Sequence, residues 1–275
     1  MMLLGTQDRD FFPQDLTEKF KFVKSIGFEC FEIDGKVLME KPDEIKRAIR
    51  ESGLPVSSAC GGYRGWIGDF IEEKRLNGIA DLKVIIRNLK EVGGTGVVVP
   101  AAWGMFTYRL PPMVSPRSRE GDRKAILDSL SQLEETAKEC GIYIYLEPLN
   151  RYQDHMLNTT ADAVSIIDEG KFEMVKITGD FYHMSIEEDD ISETLEKYRD
   201  YIGHIHIAEN HRYQPGTGSI DFKRHMETLK RIGYDGAVVN EGRIRGEDPL
   251  TVYVDSIAYM KQFMYDSLHE NRRRP

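Results

Sequence analysis

Short runs of apolar residues alternate along the chain with longer amphipathic stretches. Between the runs, apolar residues recur every three or four positions, as in a helix packed on a sheet. One stretch places Ile126, Leu130, Leu133 and Ala137 on one face, and Gly141 follows it as a common helix stop. Eight runs are typical of buried strands: Met2–Gln7, Cys30–Asp34, Pro55–Cys60, Gly96–Ala102, Ile142–Pro148, Val175–Asp180, Ile202–Glu209 and Gly236–Gly242.

Regular alternation of strands and helices indicates a parallel sheet. Eight such units in 275 residues predict a closed (β/α)8 TIM barrel, with an open doubly wound sheet as the alternative. No GxGxxG sequence follows the first strand and no GxxxxGK sequence occurs, which weakens the dinucleotide-binding and P-loop versions of that alternative. No change in composition marks a linker, so residues 1–275 are predicted to form a single domain.

The last four predicted strands carry acids and histidines near their ends. Glu147 ends the fifth strand, Asp180 ends the sixth, and Glu241 closes the eighth. His204 and His206 lie two positions apart in the seventh strand and therefore on the same face. Because the C-terminal strand ends of a barrel form its active-site rim, these groups should meet there.

Carboxylates that meet without a cation repel each other or stay unpaired. A divalent metal resolves this, and three carboxylates with one imidazole suit Mn²⁺, Mg²⁺ or Co²⁺. A soft thiolate site is not expected, because no cysteine is predicted at these ends. The alternative is a structural cluster of ion pairs without a metal.

Several loop residues are further candidates for the same rim. His183 and Arg212 follow the sixth and seventh strands and either hold a polar substrate or bond to their neighbours. Trp66, Trp103 and Phe181 follow the third, fourth and sixth strands. These aromatic residues either wall a sugar pocket or pack the loops.

The net charge of -9 and the sequence pI near 5.4 argue against broad nucleic-acid binding, which needs a basic surface. The basic ending "NRRRP" is interpreted as a solvated helix end. Cys30, Cys60 and Cys140 form no CxxC pair, which favours reduced thiols and a cytoplasmic protein. No apolar run is long enough for a signal peptide or a membrane span.

Four segments resemble the xylose-isomerase-like sugar isomerases and epimerases, and most closely the ketose 3-epimerases of the D-tagatose and D-psicose type. They are "EPLNRYQDHMLNT", "GDFYHMSIEEDDI", "HIHIAENHRYQPGTGSIDF" and "GYDGAVVNEG". The resemblance covers most of the chain and is strongest from Ser115 to Glu241. It implies a TIM barrel with one divalent metal, Mn²⁺ first and Co²⁺ or Mg²⁺ as alternatives, and a homodimer or homotetramer.

The resemblance also implies roles for the rim residues. Glu147, Asp180, His206 and Glu241 become the metal ligands, and the two glutamates double as the acid/base pair. His204 then becomes a supporting or core residue.

Substrate contacts are implied at His183, Arg212 and Gln153. The family's epimerases usually carry glutamate at the position of Gln153. The chain also departs after Glu241, where "NEGRIRGED" replaces the usual proline and aromatic residue. Arg243 and Arg245 are either surface residues, or one of them faces the mouth and pairs with an anionic substrate. "PGTG" is either a plain turn or a phosphate cradle.

The predicted function is a metal-dependent epimerase that inverts C3 of a ketose or related keto-sugar through an enediolate. The partner is a small sugar, without nucleic acid or membrane. An aldose–ketose isomerase of the same superfamily is the alternative. A DNA-repair endonuclease would need more histidine ligands and a basic groove. A non-catalytic sugar-binding barrel would not need two opposed bases.

Overall fold

Eight parallel strands form a closed barrel in the computed structural model, which describes residues 1–108 and 114–265. The strands are β1 (Leu3–Thr6), β2 (Cys30–Asp34), β3 (Val56–Cys60), β4 (Gly96–Pro100), β5 (Tyr143–Glu147), β6 (Val175–Asp180), β7 (Ile202–Ile207) and β8 (Ala237–Asn240). They follow chain order around the barrel, and β1 pairs in parallel with both β2 and β8. The predicted TIM barrel is confirmed, and every predicted strand boundary lies within two residues of the observed one.

Ten helices surround the barrel in the described residues. They are α1 (Leu16–Ser25), α2 (Gly35–Glu40), α3 (Pro42–Ser52), α4 (Glu72–Val92), α5 (Arg119–Cys140), α6 (Thr160–Gly170), α7 (Phe181–Glu187), α8 (Ile191–Lys197), α9 (Phe222–Arg231) and α10 (Pro249–Met264). Two helices rather than one follow the strand in the second and sixth units. Pro42 explains the first division, since it has no N–H to continue α2 and instead begins α3.

Helix α5 shows how the amphipathic pattern builds the barrel. Ile126, Leu130, Leu133 and Ala137 are all buried, as predicted. The helix ends at Gly141, whose φ of 70° lies in the left-handed region that glycine adopts without strain.

The last helix, α10, packs against the first strand, β1. Tyr253 of α10 is fully buried, and its hydroxyl lies 2.5 Å from Thr6 Oγ1. Among the described residues, no helix has the length and apolarity needed to cross a membrane. The basic ending "NRRRP" lies outside the described residues.

Candidate active site

Four side chains from four consecutive strands converge at the C-terminal end of the barrel. Glu147 ends β5, Asp180 ends β6, His206 lies in β7 and Glu241 directly follows β8. One potential ligand atom from each lies within 4.8 Å of all the others. The structure therefore brings together the four residues that the family resemblance implies as ligands, because neighbouring parallel strands deliver their last residues to one rim.

The Nδ1 atom of His206 is the nitrogen that faces these carboxylates. It lies 2.6 Å from Glu241 Oε2, 3.2 Å from Glu147 Oε1 and 3.9 Å from Asp180 Oδ2. Nδ1 is therefore the ring atom available to a metal held between the three acids.

The opposite ring nitrogen is fixed from below by Glu32 of β2. His206 Nε2 lies 2.8 Å from Glu32 Oε1, which also accepts a hydrogen bond of 2.9 Å from Gln7 Nε2. Ser58 Oγ donates to Glu32 Oε2 at 2.6 Å. A buried carboxylate behind a histidine sets which ring nitrogen carries the proton and how the ring is oriented. Sequence reasoning missed this residue.

His204 points to the same carboxylate and not to the rim. Its Nε2 lies 2.8 Å from Glu32 Oε2, and its ring stacks on Tyr145 with centroids 5.0 Å apart. Burial lowers the pKa of His204, against the opposing charge of Glu32. The structure thus places His206, and not His204, among the three acids.

Arg212 supplies positive charge to the site. Its Nη1 donates to Asp180 Oδ2 at 2.6 Å, and its Nη2 lies 2.8 Å from Glu241 Oε1. Its backbone adopts φ of 64°, an uncommon conformation for a residue with a Cβ. The arginine is therefore held against two of the acids and is placed to reach a substrate.

His183 is a neutral hydrogen-bond donor beside this group. Its Nδ1 accepts a hydrogen bond of 2.9 Å from the backbone N–H of Asn150, so the ring proton lies on Nε2. Burial lowers the pKa of His183 to about 4, although the charge of Asp180 opposes the shift. The imidazole thus stays uncharged at neutral pH and can donate from Nε2.

The two glutamates lie in different electrostatic surroundings. Burial raises the pKa of Glu147 above its usual range, against a hydrogen bond from His206. Burial also acts on Glu241, but the charges of Arg212 and His206 outweigh it and hold its pKa well below the usual range. The pKa values of the two carboxyl groups are therefore shifted in opposite directions, as an acid/base pair requires.

The donor set fits a divalent metal ion. Within the described part of the chain, Glu241 Oε2 is buried and accepts no well-aligned hydrogen bond, although His206 Nδ1 is close. Three carboxylate oxygens and one imidazole nitrogen within a few ångströms suit a hard or borderline cation.

One cysteine lies near these groups, although at the end of a different strand. Cys60 is the last residue of β3 and lines the cavity at this rim. It does not belong to the groups of potential ligand atoms found in the described residues. Burial and the negative charges of Glu32 and Glu241 raise the pKa of the Cys60 thiol well above its usual range, so the thiol stays protonated.

A cavity of about 290 Å³ lies over the two glutamates. It is lined by Cys60, Gly61, Tyr63, Trp66, Pro100, Trp103, Glu147, Leu149, Gln153, His183, Arg212, Glu241 and Arg243. All three predicted substrate-binding residues line it, and so do both tryptophans. Phe181 does not: it is fully buried and packs against Phe222 and His225, so the packing alternative holds for this residue and the pocket-wall alternative does not.

The two arginines after β8 differ in position. Arg243 lines the cavity, and its exposed guanidinium makes no ion pair with the described residues. Arg245 instead lies over the ring of Tyr213 at 4.3 Å. In "PGTG", the backbone N–H of Gly216 donates to Glu209 at 2.9 Å, so the turn binds the chain's own carboxylate and the phosphate-cradle interpretation is wrong.

The loop after β5 is held by a largely buried network of polar side chains. His155 Nε2 lies 3.0 Å from Asp122 Oδ2, and Arg117 Nε donates to Asp122 Oδ1 at 2.7 Å. Asp154 accepts a hydrogen bond of 2.7 Å from the backbone N–H of His155. Gln153 directly precedes these residues, so the network fixes the backbone that carries it into the cavity.

Tyr63 is a further candidate that sequence reasoning missed. Its hydroxyl is buried and has no hydrogen-bond partner among residues 1–108 and 114–265. Burial, together with the neighbouring Cys60 and Glu147 groups, raises its pKa well above the usual range, so the hydroxyl stays protonated and can donate a hydrogen bond. An unpaired buried hydroxyl costs about 1–3 kcal/mol, which a substrate oxygen would recover.

We expect Tyr63→Phe to lower kcat/KM by about tenfold without lowering Tm, because the lost hydroxyl has no partner in the folded chain. Steady-state kinetics and calorimetry check both values. A lower Tm with unchanged kcat/KM would instead assign the hydroxyl a structural role.

The sequence and fold match known proteins along most of the chain. The model of the family described as "Xylose isomerase-like TIM barrel" matches residues 20–263. The chain belongs to this family. Among its relatives, a 3-dehydro-D-guloside 4-epimerase of Escherichia coli (strain K12) is 58% identical over 260 residues, covering 94% of this chain and 99% of the relative.

A second relative, a D-psicose 3-epimerase of Enterocloster bolteae, is 29% identical over 231 residues, covering 80% of this chain and 74% of the relative. A crystal structure of 3-keto-D-glucoside 4-epimerase from E. coli superposes with a TM-score of 0.94 at 58% identity, over 95% of this chain and 100% of that one. The predicted family, fold and epimerase class are thus confirmed. The roles of the site residues, the metal, the oligomeric state and the cellular location stay predictions.

Proposed function

We propose that this chain is a metal-dependent epimerase that inverts C4 of a 3-keto-glycoside through an enediolate, with Glu147 and Glu241 as the acid/base pair. The observation that carries the proposal is that both carboxyl groups lie against His206 Nδ1 under one cavity. The chain is also 58% identical to a protein named as a 4-epimerase.

The choice of carbon follows from the position of the carbonyl. A base can remove a proton from a carbon next to the carbonyl, which means C1 or C3 in a 2-ketose and C2 or C4 in a 3-keto-glycoside. The sequence resemblance favoured C3. The 58% identical relative is named for C4 and the 29% identical relative for C3, so similarity supports C4.

The proposed mechanism assigns one step to each glutamate. A divalent ion held by Glu147, Asp180, His206 and Glu241 would polarise the C3 carbonyl and so acidify the C4–H bond. One glutamate removes the C4 proton, and the electron pair moves into the carbonyl to form the enediolate. The other glutamate returns a proton to the opposite face of C4, which inverts that carbon.

Neighbouring residues support these steps. His183 can donate from Nε2 to a substrate oxygen that gains negative charge in the enediolate. Arg212 is a second donor, and its charge keeps Glu241 ionised.

The test is ¹H NMR of a panel of sugars incubated in D₂O with Mn²⁺, which is removed before the spectra are taken. The panel holds a methyl 3-keto-glucoside, its uronic acid analogue and D-psicose. Deuterium at C4 with a new C4 epimer supports the proposal. Exchange at C3 of psicose alone returns the assignment to a ketose 3-epimerase, and exchange at C1 with an aldose product indicates an isomerase.

The same panel tests the hypothesis of an anionic substrate. Arg243 lines the cavity, and its guanidinium pairs with no carboxylate among the described residues, whereas Arg245 does not line the cavity. If Arg243 binds an acid group, the uronic acid analogue reacts faster than the neutral glycoside, and Arg243→Ala removes the difference while Arg245→Ala does not. Equal rates for the two substrates would exclude this role.

A further inference from the structure

A second concave region lies beside the catalytic cavity, and Trp66 lines both. We call it the α4 groove, because most of its residues lie in the loop before α4 or in its first two turns. Its volume is about 470 Å³. It is lined by Arg64, Gly65, Trp66, Asp69, Phe70, Ile71, Lys74, Asn77 and Met105.

The lining combines flat aromatic surface with polar groups. Trp66 and Phe70 supply rings on which the C–H face of a sugar can pack, and Asp69, Lys74 and Asn77 supply charged and amide groups for hydroxyls. The Lys74 ammonium makes no ion pair or hydrogen bond with the described residues. A mixed lining of this kind is typical of carbohydrate sites and less suited to a purely apolar ligand.

The walls of the groove are rigidly built. Arg64 donates to Asp81 through Nε at 2.8 Å and Nη2 at 2.7 Å, which ties the loop to α4. A Cβ on Gly65 would lie 2.2 Å from Lys74 O, and one on Gly78 would lie 2.3 Å from Gly65 O. The loop thus packs directly on the helix backbone, and the groove is preformed.

Position relative to the reacting carbon suggests the occupant. In a pyranose ring C1 lies across the ring from C4. When C4 faces Glu147 and Glu241, the group on C1 therefore points away from them, toward the mouth. Trp66 and Trp103 form an edge-to-face pair there with centroids 6.3 Å apart, and Trp103 is 54% exposed.

We propose that the α4 groove binds the group attached to C1 and that this group is a second sugar ring, so that the preferred substrate is a disaccharide with the keto group on its non-reducing ring. This inference rests on the proposed function for the identity of the reacting ring. It adds Asn77 and Lys74 as determinants of substrate choice outside the catalytic cavity.

The kinetic test compares a 3-keto-disaccharide with the methyl 3-keto-glucoside. The expected kcat/KM is at least about tenfold higher for the disaccharide, because added binding in the groove is retained in the transition state. Asn77→Ala and Lys74→Ala should each move the ratio of the two kcat/KM values toward one. Lys83→Ala, on the same helix but outside both cavities, should leave the ratio unchanged.

Binding is measured independently by intrinsic fluorescence. The chain has two tryptophans, Trp66 and Trp103, and both line the catalytic cavity, so any fluorescence change reports on this region. A non-oxidised disaccharide should change the signal at concentrations at least about tenfold lower than methyl glucoside. Asn77→Ala and Lys74→Ala should remove that difference.

The outcomes separate the two proposals. Turnover of the methyl glycoside without a disaccharide advantage in either assay overturns the groove proposal and leaves the proposed function standing. Disaccharide binding that the groove variants weaken, without turnover of either keto-glycoside, supports the groove as a sugar site and overturns the epimerase proposal. If neither binding nor turnover is observed, both proposals are overturned.

Discussion

Replacing Glu147 or Glu241 with glutamine is expected to lower kcat for C4 epimerisation by about 10³-fold or more. Positioned acid/base groups typically contribute 10²–10⁴-fold, and each of these residues is also a candidate metal ligand. Glutamine preserves the shape of the side chain but cannot carry the proton. The rates are measured by single-turnover formation of the C4 epimer.

Hydrogen exchange at C4 distinguishes a glutamate that acts as a base from one that only binds the metal. If the two carboxyl groups transfer protons at opposite faces of C4, each variant should still exchange deuterium into one of the two epimers. It should not interconvert the two epimers. Glu173→Gln is the matched control, because its carboxylate is exposed and, within residues 1–108 and 114–265, pairs only with Lys138 at the surface. Retention of full activity by Glu241→Gln would contradict the two-base mechanism.

The sequence was sufficient to predict those site residues whose positions depend only on the geometry of the strands. Asp180 and Glu147 are the last residues of parallel strands, so their place at the rim follows once the barrel is recognised. Which histidine joins them does not follow from the period of two, since His204 and His206 share a face. The position along the strand decides which histidine reaches the acids. His206 is nearer the strand end, whereas His204 lies deeper in the barrel and contacts Glu32.

Glu32 could have been found by the argument that singled out Glu147. A charged residue within a buried apolar strand, here "CFEID", needs a partner. Tyr63 and Arg117 could not be found in this way. Their roles depend on how the loops after β3 and before α5 fold, and the loops follow no period that a sequence pattern reveals. The burial of Phe181 has a similar cause, because it begins a short helix that turns its ring into the core.

Removing divalent metal with a chelator is expected to abolish epimerisation and to lower Tm by about 5 °C or more relative to the protein saturated with Mn²⁺. A ligand at 100 times its Kd stabilises the native state by about 2.7 kcal/mol, which corresponds to several degrees for a chain of this size. Calorimetry with and without metal measures the shift. Mn²⁺ and Co²⁺ should restore activity after chelation, and Mg²⁺ provides the hard-ion comparison.

Proton release gives this prediction a second readout. Burial opposes charge on His206, but Glu32 and Glu241 together raise its pKa well above the usual range, so the metal-free ring is protonated. Metal binding at Nδ1 must displace that proton, and metal affinity should therefore increase with pH. Calorimetric titrations in two buffers of different ionisation enthalpy measure the release directly.

The rival interpretation is a structural cluster in which Arg212 and His206 alone neutralise the acids. It predicts that metal changes neither Tm nor buffer protonation, and that Asp180→Asn destabilises the protein equally with and without Mn²⁺. In the metal-centre interpretation, Asp180→Asn loses most of the metal-dependent rise in Tm. The variant therefore decides whether the acids converge for a cation that must be added or for the arginine already bound to Asp180 and Glu241.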